Sequence, residues 1–313
     1  MKIYVLKRIF SALVIMWAVA SIVFISMRVI PSDPAQVVLG NYATEEALKA
    51  FRHDMGLDRP LWVQYAEFMN ALVRGDLGRS MITNRPIGEQ IWALFPYTFN
   101  LAVSSTLLGA LIGIPLGVWA AIRKNSPVDY ISRIVALAGF SFPAFYLGVL
   151  LLLVFSVELG WFPVIHQVRS GSFGEHIHKL ILPALSLGLI QASYVTRLTR
   201  SAMLEALNED YVRTAFAKGL GPRKVYFKHV LKNIMIPVIT AIGLYMGTIL
   251  GGAILTETVF NRPGLGKLLV GAISQRDYNT VQSGLVVFAF IVVIVNLIVD
   301  LTYSLFDPKV KYE

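Results

Sequence analysis

Three groups of residues have the types and spacing from which chemistry can be built, and each falls short. Gly264–Lys267 reads GLGK, a fragment of a phosphate loop. A complete GxxxxGK[ST] needs glycine where Asn261 stands and a hydroxyl residue where Leu268 stands, and GxGxxG needs glycine at Leu269. The fragment is therefore expected to be a turn after Pro263, holding no nucleotide. His166, His176 and His178 cluster loosely, with Glu175 the carboxylate near them. That set offers a metal poor coordination, and no metal is expected. Cysteine is absent, which excludes a thiolate metal site, a cysteine nucleophile and a disulfide framework. No nucleophile stands in register with a base. Neither catalytic residues nor a directly bound cofactor are expected.

The stretch that remains is DYVRTAFAKGLGPRKVYFKHVLKN, Asp210–Asn233. Its residues favour a helix from Ser201 to Lys218. Gly219 suits the left-handed position just past a helix end, and Gly221-Pro222 suits the start of the next helix, over Arg223–Asn233. The product is a helix, an elbow and a second helix. Charge alone does not require the elbow, nor the aromatic residues Tyr211, Phe216, Tyr226 and Phe227. A short helix on an elbow, carrying apolar knobs and charges, fits a groove in another protein. The docking set is Glu205, Asp210, Tyr211, Arg213, Thr214, Ala215, Phe216, Ala217, Lys218, Gly219, Leu220 and Gly221. Tyr211, Ala215, Phe216 and Leu220 are expected to insert, Phe216 or Leu220 each contributing about 1.5–3 kcal/mol on burial.

The elements that must present this loop lie in lipid. Hydrophobic residues make up 56% of the 313, charged residues only 15%, and mean hydropathy is +0.63. A soluble domain is about one quarter charged. Six apolar runs have membrane length or approach it: 9–29, 97–122, 134–157, 180–195, 236–256 and 283–306. The first is too long for the core of a signal peptide and is read as an uncleaved helix. Lys2, Lys7, Arg8, Arg123, Lys124, Arg133, the basic loop, Lys309 and Lys311 all fall on one side of a six-span topology. That side is cytoplasmic, with both termini. The net charge of +9 is thereby topological, and nucleic-acid binding needs no weight.

Three regions follow: 1–95, the first span with an external helical loop; 96–306, the membrane core with the cytoplasmic loop 197–235; and a tail, 307–313. In the external loop Thr44 caps one helix that Gly56 ends. Leu61–Leu72 forms a second, with Trp62, Tyr65 and Phe68 on one stripe. Gly109, Gly113 and Gly117, and again Gly243, Gly247 and Gly251, recur every fourth residue and allow close helix packing, within this chain or against a partner. Pro115 and Pro143 are expected to kink or unwind their spans. Asp300, a polar residue near the end of the last span, is expected to serve structure rather than transport.

At the loop a resemblance becomes specific. DYVRTAFAKGLGPRKVYFKHVLKNIMIPVIT resembles the EAA loop of ABC-transporter permeases, in the dipeptide, oligopeptide and nickel importer family. RVIPSDPA, HDMGLDRPLWVQYAEFMNALVRGDLGRSM and GGAILTETVFNRPGLGKLLVGAISQRDYNTVQSG agree with that family, so the likeness runs along nearly the whole chain. Aligned on Gly219, Arg213-Thr214-Ala215 stands at EAA and His229-Val230-Leu231-Lys232 at IxLP, so the usual glutamate and proline are missing. The resemblance implies an all-α polytopic membrane protein of the type I ABC importer permease fold in a bacterial or archaeal inner membrane. It implies a homologous second permease, two ATPases that bind ATP and magnesium, and an extracytoplasmic substrate-binding protein. Peptides are the cargo expected first, with nickel or another small solute as the alternative. An ion-driven secondary transporter would need paired ionisable residues at the midplane, which are not evident. A non-transporting receptor would leave the elbow without a use.

Overall fold

Why apolar runs become helices here follows from the solvent they meet: in hydrocarbon every backbone polar group must be satisfied within the segment. A computed structural model describes residues 2–29, 34–40, 43–163 and 173–306. His166, Lys309, Lys311, the tail and residues 30–33 of RVIPSDPA lie outside the described residues. The elements are α1 (Lys2–Val29), α2 (Pro34–Leu39), α3 (Glu45–Asp54), α4 (Leu61–Val73), α5 (Ile87–Ile122), α6 (Pro127–Ser141), α7 (Ala144–Leu152), α8 (Phe173–Leu207), α9 (Asp210–Ala217), α10 (Pro222–Lys224), α11 (Leu231–Val259), α12 (Leu265–Ser274) and α13 (Tyr278–Phe306). Wider π turns continue α7 over Leu153–Glu158 and join α10 to α11 over Val225–Val230. Among the described residues no strand forms.

Among the described residues five helices are long and apolar enough to cross a membrane: α1, α5, α8, the continuous 222–259 helix and α13. The sixth expected span is the pair α6 and α7, bent by more than 40°. Its break is at Pro143, which caps α7, while Phe142 before it is extended at φ −98° and ψ 131°. Proline disfavours helical backbone in the residue it follows. Pro115 does not unwind its span, since α5 runs unbroken through it. Pro183 and Pro237 likewise lie inside continuous helices. One missing hydrogen bond is tolerated in a membrane helix whose packing stays intact. The fourth span is also far longer than its apolar run. Ser186 and Gln191, which interrupt that run, and Thr196 and Thr199 beyond it are buried in α8.

The chain parts into two compact units, one built chiefly from residues 98–262, the other from residues 6–97 with 263–294. In the first unit α8 packs against α6, α7 and α11. It also lies along the glycine face of α5. A Cβ at Gly113 would come within 2.8 Å of the Ala192 carbonyl, and one at Gly117 within 2.7 Å of the Thr196 carbonyl. At Gly109 it would meet the Gln191 side chain at 2.7 Å. The contact is reciprocal: a Cβ at Gly188 would meet the Ser105 carbonyl at 3.0 Å, and Thr196 Oγ1 donates to the Gly113 carbonyl at 3.3 Å. Backbone here has no room to yield. Gly113→Leu is therefore expected to lower stability by about 1–3 kcal/mol or prevent assembly, read as a lower unfolding midpoint of the detergent-purified chain. The second stripe is different. Gly243 meets Val299 of α13, Gly247 is half-buried, and Gly251 has nothing of this chain within 4 Å.

In the second unit Thr44 Oγ1 accepts from the Ala47 amide at 3.3 Å and caps α3. Gly56, at φ +65°, ends that helix: its amide bonds the His53 carbonyl, and the Leu57 amide bonds the Arg52 carbonyl. Asp58 holds the His53 imidazole above its ordinary pKa, and its own carboxyl is held below the usual value by the same hydrogen bond. α4 packs on α1. Phe24 contacts Tyr65 edge-on at 5.4 Å and stacks on Phe68 at 5.6 Å. Tyr65 and Ser21 share a 2.7 Å hydrogen bond, and Arg28 Nε donates to Gln64 Oε1 at 2.9 Å. Trp62, expected on the same stripe, is exposed instead. The GLGK turn is likewise revised: Gly264 caps α12, which begins at once and buries Leu265, Leu269 and Ala272. Their i, i+4, i+7 spacing is a helix face. Asp277 follows, accepting from Ser80 Oγ, the Met81 amide (3.0 Å) and Thr280 Oγ1 (2.7 Å).

Candidate functional site: a helical elbow

The expected helix from Ser201 to Lys218 is two helices. α8 ends at Leu207, Asn208 bonds back to the Leu204 carbonyl through Nδ2 (2.9 Å), and α9 restarts after Glu209, which is extended at φ −71° and ψ 149°. α9 is only eight residues long, too short to be stable by itself in water. Packing holds it. Val212 (2% exposed) and Ala215 (7%) enter a buried cluster with Met203 of α8, Val225 and Val230 of the π turn and Ile234 of α11.

The elbow closes α9 with two backbone bonds. The Gly219 amide bonds the Phe216 carbonyl at 2.9 Å, and the Leu220 amide reaches the Ala215 carbonyl at 3.3 Å. Gly219 is at φ +77°, as this closure requires. Pro222 then opens α10 with Gly221 as its cap, so the chain turns and re-enters the long helix. The same closure revises which residues are available to insert. It folds Leu220 back onto the buried cluster, and Ala215 is itself buried. Both anchor the elbow. Tyr211 (38% exposed) and Phe216 (41%) remain on the outer side, and Phe227 is exposed too. Phe216 makes an edge contact with Tyr226 at 6.4 Å. Gly221, Pro222, Arg223, Lys224, Phe227 and Lys228 line an open concavity.

The charged residues of the docking set are mostly solvated. Glu205, Asp210, Arg213 and Lys218 are exposed, as are Thr214, Ala217, Gly219 and Gly221. Arg213 Nη1 lies 3.3 Å from Asp210 Oδ1, and Thr214 Oγ1 bonds the Asp210 carbonyl at 3.0 Å. An exposed pair of this kind adds little stability. Of the histidines, His178 stacks on Phe162 at 4.6 Å, and among the described residues no three His, Asp or Glu side chains converge on a metal position.

Sequence reasoning missed the device that ties the elbow's helix to its neighbours. Asp129, fully buried near the start of α6, takes a two-pronged ion pair from Arg200 of α8: Nε to Oδ1 at 2.6 Å and Nη2 to Oδ2 at 2.9 Å. The Asn125 amide also donates to Oδ2 at 2.9 Å, and Arg133 Nε lies 3.6 Å from Oδ1. Arg200 stands about two turns before the end of α8. The SPVD sequence at Ser126–Asp129 carried a signal: Ser126 caps α6, proline follows, and an acid lies in the first turn.

Membrane-length helices joined by a short helix on a glycine elbow define a class, that of multi-pass helical membrane proteins with a structured loop between spans. Residues 113–312 match the family described as binding-protein-dependent transport system inner membrane component, and residues 1–102 match its N-terminal companion. The chain belongs to this family. It is 41% identical to the dipeptide transport system permease protein of Alkalihalophilus pseudofirmus, over 100% of both chains. Identity is 40% to the di/tripeptide transport system permease protein of Pseudomonas aeruginosa, over 99% of each. It is also 40% to the glutathione transport system permease protein of Salmonella typhimurium, over 99% of each. Among solved structures, an inward-facing form of the MetNI methionine ABC transporter matches with a TM-score of 0.57 at 18% identity, over 70% of this chain and 97% of that one. The fold is thus that of an ABC importer permease, and the protein is a multi-pass membrane transport subunit, not an enzyme.

Proposed function

We propose that this chain forms half of the translocation pathway of an ABC importer for di- or oligopeptides and couples it to ATP hydrolysis by partner subunits. The observation that carries the coupling role is α9: an eight-residue helix anchored inward by Val212 and Ala215, with Tyr211 and Phe216 left outward. Those two aromatic residues, with Phe227, enter a groove of an ATPase. A homologous second permease completes the pathway, two ATPases bind ATP and magnesium, and an extracytoplasmic binding protein delivers the cargo. This chain holds no cofactor. It lies in a cytoplasmic membrane with both termini inside, a reading that the lysine and arginine bias of its loops supports.

The peptide cargo rests on the names of the relatives at about 40% identity over full length, and these favour peptide over nickel. Purified by itself, the chain is expected to hydrolyse no ATP, whereas the complex reconstituted with its ATPases and binding protein takes up labelled dipeptide and not nickel. Hydrolysis by the isolated chain would sink the permease assignment, and nickel uptake would overturn the cargo alone.

A further inference from the structure

Where the chain leaves the elbow and re-enters the long helix, α11 and the end of α13 enclose a groove of about 230 Å³ that the coupling role does not use. Its walls carry Ile236, Ile239, Thr240 and Gly243 of α11 and Val299 and Thr302 of α13. Ile236 and Ile239 are exposed along it. At Gly243 the two helices touch, since a Cβ there would come within 2.7 Å of Val299 Cγ1. That contact closes the groove at the end away from the elbow. At the other end stand two lysines. Lys232 precedes Ile236 by four residues and Lys228 precedes Lys232 by four, so both continue the helix face that lines the groove. Both are exposed, and neither is held by a carboxylate among the described residues. Among the described lining residues none is acidic. Asp300 follows Val299 but is turned about 100° from it around α13.

We propose that this groove binds an anionic phospholipid, its phosphate at Lys228 and Lys232 and one acyl chain between α11 and α13. A lysine ammonium binds phosphate as a point charge with three donors, and basic residues at a membrane surface recruit acidic headgroups in this way. From Ile236 to Gly243 the helix rises about 10 Å, a depth that takes the first part of an acyl chain. The groove lies within the apolar run 236–256, where hydrocarbon is the natural occupant and the charge at its mouth selects the headgroup. The apolar walls favour lipid over inorganic phosphate, which has no carbon to place there. A lipid so held ties the second arm of the elbow to the membrane surface.

Native mass spectrometry of the full-length chain, titrated with phosphatidylglycerol or phosphatidylcholine, tests this. Phosphatidylglycerol is expected to bind the more tightly. The double variant Lys228→Gln/Lys232→Gln should weaken it about thirtyfold and leave phosphatidylcholine unchanged. Arg123→Gln/Lys124→Gln removes two charges from another basic loop and should leave phosphatidylglycerol binding as it was. Thr240→Phe, which fills the groove and keeps every charge, should lower phosphatidylglycerol binding, and it decides the matter if the lysine variant does not fold. Equal binding of the two lipids by the unaltered chain overturns the proposal, as does an equal loss in both double variants, which marks a general effect of charge. Phosphatidylglycerol binding that Thr240→Phe leaves unchanged and millimolar inorganic phosphate abolishes marks a free-phosphate site and overturns it too.

Discussion

Replacing Gly219 with valine is expected to abolish peptide uptake while the chain still inserts and still assembles with its partners. The reason is confined to the backbone. Gly219 is at φ +77°, and a Cβ there would meet nothing within 4 Å, so no clash contributes. What valine cannot do is hold the left-handed conformation, which costs a β-branched residue about 1–3 kcal/mol. The closure from Leu220 to Ala215 then opens, Leu220 leaves the buried cluster, and α9 loses its fixed orientation. Transmission of a partner's motion fails because a helix of eight residues has little stability without that packing. Gly219→Asn is the control. Asparagine enters the left-handed region more readily and should retain most of the uptake. The readouts are peptide uptake and peptide-stimulated ATP hydrolysis in proteoliposomes. Full uptake by the valine variant would remove the elbow from the mechanism.

Arg200→Met is expected to destabilise the chain by about 3–5 kcal/mol, the usual consequence of leaving a buried charge without its partner. Asp129 is 0% exposed and Arg200 19%, so water cannot replace the lost guanidinium. Adding Asp129→Asn to that variant should recover most of the loss. The amide carries no charge and can still accept from the Asn125 amide. Arg200→Lys should fall between, because a lysine ammonium lacks the fork that engages both carboxylate oxygens. Thermal unfolding in detergent gives the order: unaltered chain, double variant, Arg200→Lys, Arg200→Met. If Arg200→Met alone melts with the unaltered chain, the pair contributes nothing to holding α6 against α8.

Much of this protein was legible without coordinates because the bilayer is a demanding solvent. Apolar runs of sufficient length have few alternatives to helix, and the loops between them carry the charge. The elbow was legible for a different reason: Gly219, Gly221 and Pro222 have backbone preferences that act locally. Where the reading failed, the outcome depended on a neighbour. The fourth span looked short because it contains Pro183, Ser186 and Gln191, yet α8 continues through all three with Ser186 and Gln191 buried. Pro115 was expected to kink or unwind its span, and α5 is not unwound there. GLGK looked like a turn, but Leu265 and the later Leu269 face a buried side and the helix starts there.

The sequence by itself determined that the chain is a bundle of membrane helices with a helix–glycine–helix elbow on its basic side. Local conformational preference and transfer from water act on each segment separately, so they can be read one segment at a time. Tertiary structure alone decided which side chains of the elbow face outward. Ala215 and Leu220 have the same apolar character as Tyr211 and Phe216, and only packing against Met203, Val225 and Val230 turns the first pair inward. It also decided that Asp129 and Arg200, 71 residues apart, meet as a buried ion pair. Burial and long-range pairing depend on where another segment comes to lie, and no single segment contains that information.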